Sequence, residues 1–75
     1  MKLKDLLKLI CDEELVYLID YDTEDMIIKD DLFAIYDEVV KNYGERTVTD
    51  IYTCMDVNTT LYLCIIVKEA DNDTA

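Results

Sequence analysis

The chain has 75 residues, 52% of them hydrophobic, and carries 18 Asp and Glu against 7 Lys and Arg, a net charge of −11 with no histidine. That length allows one domain with a core of barely sufficient size, and the apolar content sets it apart from disordered acidic chains. The charge disfavours direct binding to nucleic acid or to an anionic membrane surface. The missing histidine removes the commonest neutral-pH acid–base group and metal ligand.

The charge is uneven. Residues 1–11 carry +2, residues 12–38 carry −10 and residues 39–75 carry −3. Like charges this dense oppose the compact state, and their usual gains are solubility or attraction to a basic partner.

In chain order, Leu3, Leu6, Leu7, Ile10 and Cys11 recur at helical spacing and predict a short amphipathic helix over about 2–11. Leu15–Ile19 is a β-forming apolar run, Asp20–Asp25 supplies turn residues, and Met26–Lys29 reads as the returning strand of a hairpin. From Asp30 to Tyr43 the pattern is helical throughout. Leu32, Phe33, Ile35, Tyr36, Val39, Val40 and Tyr43 fall on one side of the wheel, with Asp30 or Asp31 as N-cap and Gly44 at the C-terminal position that favours glycine. Val48–Val57 reads as a strand, Asn58–Thr60 as a turn, and Leu61–Lys68, apolar on both faces, as a central strand. The expected fold is α+β: an α-β-β-α-β-β domain over 1–68, a four-stranded antiparallel sheet with the helices packed on one face, and a flexible acidic tail over 69–75.

Cys11, Cys54 and Cys64 are odd in number and sit in apolar contexts. No signal-like apolar segment precedes them, and the longest apolar run, Leu61–Val67, is too short to span a bilayer. Reduced, mostly buried thiols in a cytoplasmic protein are the expectation, with a Cys54–Cys64 bridge across a hairpin as the lesser alternative. Without histidine to activate them, these thiols do not read as nucleophiles, and so small a chain has little room for a substrate pocket. The expectation is a non-enzyme without cofactor.

Asp20-x-Asp22-x-Glu24 begins like a calcium-binding loop. Asp25 stands where the turn glycine belongs and Asp31 where a bidentate Glu belongs, so no metal site is expected. The carboxylates have a second reading. Asp20, Asp22, Glu24 and Asp25, with Asp37 and Glu38 nearby, form a candidate partner-binding surface. Carboxylates two apart on an extended strand repeat at roughly 6.7 Å, about two axial steps of one duplex strand, and so stand where phosphates would lie in a basic groove. Asp30 and Asp31 read as helix-capping groups, and Glu13 and Glu14 as separators between elements. Tyr36 and Tyr43 read as core, whereas Tyr17, Tyr52 and Tyr62 on strands can serve packing or contact.

The opening Met-Lys-Leu-Lys-Asp-Leu-Leu, the Asp-Tyr-Asp-Thr-Glu-Asp turn and the closing strand Leu61–Val67 resemble small acidic proteins encoded by phages and mobile elements of Gram-positive bacteria. That group includes anti-CRISPR and other anti-defence inhibitors, several of them acidic mimics that block a nuclease's nucleic-acid groove. The resemblance implies an inhibitor acting in the host cytoplasm on a basic nucleic-acid-handling protein such as a CRISPR effector nuclease. The alternative is a structural or homo-oligomeric assembly module of a phage or mobile element, such as a homodimer, whose acidic surface only solvates it.

Overall fold

In a computed structural model, which describes residues 1–69, the element order is α1 (Leu3–Leu7), β1 (Leu15–Asp20), β2 (Met26–Asp31), α2 (Leu32–Tyr43), β3 (Thr47–Met55) and β4 (Leu61–Lys68). The expected α+β class and element order are present, and residues 70–75 of the expected tail lie outside the described residues.

The sheet order is β2-β1-β4-β3. This corrects the all-antiparallel expectation. The β1–β2 and β3–β4 pairs are antiparallel, but β1 and β4 run parallel, with Val16 opposite Leu63 and Leu18 opposite Ile65. The reason is α2. It leaves β2 at one sheet edge and delivers the chain to β3 at the other, so the second hairpin returns with β4 alongside β1. Being central, β4 is apolar on both faces, as strands with two neighbours tend to be.

Period-two alternation sorts the sheet into two faces. One is covered: Val16, Leu18, Ile65 and Val67 pack with Leu3, Leu6 and Leu7 of α1 and with Leu32, Ile35 and Val39 of α2 to form the buried core. Tyr36, Val40 and Tyr43 are partly buried against it. Among the described residues no helix covers the other face, which carries Tyr17, Ile19, Tyr52, Cys54, Tyr62, Cys64 and Ile66.

The helix boundaries depart from expectation at both ends. The first helix is a five-residue segment rather than ten, and Lys2 forms an isolated bridge with Thr47. Asp31 is the N-cap residue of α2, but its side chain makes no capping bond. Instead the Leu32 N–H donates to the Glu14 carbonyl (2.9 Å) and the Phe33 N–H to the Asp12 carbonyl (3.0 Å), so loop backbone satisfies the helix's unpaired donors. Gly44 ends α2 in the right-handed region (φ −59°). Its requirement is space: a Cβ there would collide with the Val40 carbonyl oxygen and lie 3.2 Å from Lys4 Cβ.

Two further expectations are corrected. Phe33, placed on the apolar side of α2 by its spacing, is 79% exposed, because the stripe that meets the sheet is centred on Leu32, Ile35 and Val39 and leaves Phe33 at its rim. The cysteines are not the reduced, mostly buried thiols expected. Cys54 and Cys64 are joined in a disulfide across the β3–β4 hairpin, with Cα atoms 6.4 Å apart, and Cys11 is free and exposed. Cys54 lies opposite Tyr62 and Cys64 opposite Tyr52, so the bridge links diagonal neighbours on the open face. The cysteines therefore no longer argue for a reducing compartment.

Candidate acidic binding surface

The β1–β2 turn is built around Asp20. Its Oδ1 accepts the backbone N–H of Asp22 (2.8 Å) and of Thr23 (3.4 Å), and its Oδ2 accepts Nη1 of Arg46 (3.2 Å). This is the local side-chain-to-backbone bonding that favours Asp in turns. The turn closes through Glu24 N–H to the Asp20 carbonyl (2.8 Å) and Asp20 N–H to the Asp25 carbonyl (2.9 Å), with Glu24 in the left-handed region (φ 62°). The Asp22 N–H holds the Asp20 carboxyl below its ordinary range. Thr23 and Arg46 add to that shift, while partial burial opposes it.

Asp20 is thus a structural group, turned toward its own turn and toward Arg46. Asp22, Glu24 and Asp25 remain exposed at the tip. Because 20–25 is a tight turn and not an extended strand, the roughly 6.7 Å repeat that would imitate phosphate spacing is not present there.

Asp37 and Glu38 are exposed on α2 but do not join this turn. Asp37 lines a groove of about 620 Å³ with Leu7, Lys8, Ile10, Asp12, Phe33 and Tyr36, alongside the loop that enters β1. The turn lies at the far end of β1, whose six residues span roughly 20 Å. The six candidate carboxylates therefore divide into a turn patch (Asp22, Glu24, Asp25), a helix patch (Asp37, Glu38) and one internal group, Asp20. Sequence spacing had no means of separating them.

Ion pairing leaves both patches free. Among the described residues, the ion pairs are Asp20 with Arg46, and Glu45 with Lys2 (2.7 Å) and Lys4 (2.6 Å). Hydrogen bonds from those two lysines lower the Glu45 pKa to about 2, and Glu45 in turn raises that of Lys4. Lys41 stands on α2 four residues beyond Asp37, but neither it nor any other cation among the described residues forms an ion pair with Asp22, Glu24, Asp25, Asp37 or Glu38.

An uncovered sheet face bearing strand tyrosines is a contact surface the sequence suggests without naming its members. The Tyr17 and Tyr62 rings meet edge to face with centroids 6.2 Å apart, and Lys29 Nζ lies over both, at 5.6 and 4.9 Å. Lys68 Nζ lies 5.5 Å from the Tyr21 centroid. Toward the turn, Ile19, Asp20, Tyr21, Glu24, Asp50, Tyr52 and Ile66 line a concavity of about 300 Å³. The signal in the sequence was the count of strand tyrosines, but which of them share a face depends on the parallel β1–β4 register.

No group of three or more His, Cys, Asp or Glu is placed to hold a metal among the described residues, and no helix there is long and apolar enough to cross a membrane. No protein-family model, curated protein or solved structure gives a significant match to the chain, so its function has to be read from this surface.

Proposed function

We propose that this chain is a non-enzymatic binding module whose exposed carboxylates engage a basic surface on a partner protein, of the kind that nucleic-acid-handling proteins present. The observation that carries this reading is the unpaired state of the turn and helix carboxylates: of the acidic groups described, only Asp20 and Glu45 are held by cations of the chain itself. Exposed, unneutralised charge steers association and raises the on-rate toward a complementary partner. The partner's arginines and lysines would find two acidic patches toward opposite ends of β1, not one continuous strip.

Competition with nucleic acid follows from this reading as an electrostatic effect, since a basic groove occupied by carboxylates is closed to phosphate. It does not require carboxylates at phosphate spacing.

The test is capture from native host lysate at low and high salt, with wild-type protein and with a variant neutralised at both patches (Asp22→Asn, Glu24→Gln, Asp25→Asn, Asp37→Asn, Glu38→Gln). A basic protein retained at low salt, released at high salt and lost in the variant is the expected result. Equal recovery by the neutralised variant would refute the reading.

A second reading rests on β3. This nine-residue strand is a sheet edge, met by Met1 and Lys2 only at Thr47 and Val48, with Ile51, Tyr52 and Met55 exposed, and an open edge of the remaining length invites pairing with another copy. Light scattering separates the two, since a stable homodimer insensitive to the carboxylate changes favours the edge.

A further inference from the structure

Resting on the basic-partner reading, we infer that the concavity at the turn end of the open sheet face is the point where an arginine side chain of the partner inserts. Tyr21, Tyr52, Ile19 and Ile66 line it together with the carboxylates of Glu24 and Asp50 and with Asp20, which Arg46 already pairs.

Three properties select a guanidinium over other occupants. The first is charge: Glu24 and Asp50 form no ion pair, and no Lys or Arg lines the concavity. An apolar side chain would cover Ile19 and Ile66 and leave both carboxylates without a partner. An anion is repelled.

The second is the chemistry already practised by the chain's own tyrosines. Lys29 lies over Tyr17 and Tyr62, Lys68 over Tyr21 and Arg46 over Tyr43. Tyr52, 47% exposed, is the strand tyrosine of the open face with no cation over its ring. A cation on an aromatic face gains from the ring quadrupole, and more so as water is displaced.

The third is shape. A planar guanidinium stacks on a ring and presents N–H groups at its edge to carboxylates, whereas an ammonium acts as a point charge. Ile19 and Ile66 offer apolar surface to the methylene stem, as long basic side chains prefer.

The inference is tested by titrating ¹⁵N/¹³C-labelled protein with a nona-arginine peptide at low salt, with nona-lysine for comparison. Saturable shifts centred on Tyr21, Tyr52, Ile19 and Ile66 are expected. Tyr52→Ala and Asp50→Asn should each weaken nona-arginine by about two- to fivefold, the equivalent of an exposed cation–π contact. Tyr52→Phe, which keeps the ring, should bind as wild type, and nona-lysine should bind more weakly than nona-arginine. If nona-arginine binds but its shifts centre on Asp12–Glu14 and Asp37–Glu38, or if Tyr52→Ala binds as wild type with its spectrum otherwise intact, the arginine pocket is wrong while the basic-partner reading stands. If neither peptide binds wild-type protein, both fall together.

Discussion

Along β1, neighbouring residues meet opposite surroundings. Leu18 is sealed between the sheet and the helices, whereas Ile19, one residue on, lines an open concavity together with carboxylates. The same alternation runs along β4, where Ile65 and Val67 are buried by α1 and α2 while Tyr62 and Ile66 stay half-exposed. The covered face is aliphatic and depends on shape. The open face uses tyrosine, cations and a disulfide, which keep apolar strands ordered without a second layer of helices. A chain of this length makes helical cover for only one face, and the chemistry of the other follows from that shortage.

The largest test of this contrast is truncation on each side. Leu18→Ala should cost about 2–5 kcal/mol by removing a fully buried side chain, and Ile66→Ala less than half as much, both read from urea unfolding. Equal losses would mean that the open face is covered in solution. On that face, replacing both Cys54 and Cys64 by alanine should cost about 2–4 kcal/mol by freeing the unfolded hairpin, seen as a lower midpoint in non-reducing melts. On the covered side, Gly44→Ala should cost about 1–3 kcal/mol, because the new Cβ meets the Val40 carbonyl and the α1 backbone cannot recede freely: the Lys4 N–H donates to the Gly44 carbonyl at 3.0 Å. Phe33→Ser should change stability by no more than about 0.5 kcal/mol, although the same change at a residue of the helical stripe would be severe.

The smallest effect concerns pH. Glu45 titrates near 2 in the folded chain against an ordinary 4.5, so its contribution is complete above about pH 4.5 and is lost as pH falls toward 2. Lys4, raised by the same contact, contributes below its ordinary 10.5 and loses that contribution as pH climbs past it. The contact is exposed, which keeps it weak. Glu45→Gln should remove this small contribution at neutral pH and leave stability near pH 2 unchanged, which flattens the acid limb between pH 4.5 and 2 in thermal melts.

Local pattern carried much of the fold into view. The periodicity of Leu32–Tyr43 and the apolar run Leu61–Lys68 locate α2 and β4 within a residue or two, because helix stripe and strand burial are local properties. Pairing is not local. Nothing in the residues of β1 states that its second neighbour is β4, and the parallel register decides which tyrosines meet. Phe33 fits the helical wheel and yet lies outside the core, since a wheel gives a direction and not the width of the surface it faces. The hairpin that brings Cys54 to Cys64 is legible in the sequence, but the bridge itself depends on redox compartment, which residue pattern does not specify. In the acidic segment, counting charges finds the region, but the ion pair that takes Asp20 out of the free surface is made with Arg46, a residue from beyond α2.

The parallel β1–β4 pair also bears on how the chain is made. During synthesis β1, β2 and α2 emerge first, and the inner edge of β1 stays unsatisfied until Leu63–Val67 arrives to pair with it. Contacts so distant in sequence form late and slowly. Through that interval the nascent chain exposes Val16 and Leu18 beside an open strand edge, a state prone to association. The carboxylates from Asp12 to Glu38 occupy just this early segment, where mutual repulsion keeps neighbouring unfinished chains apart.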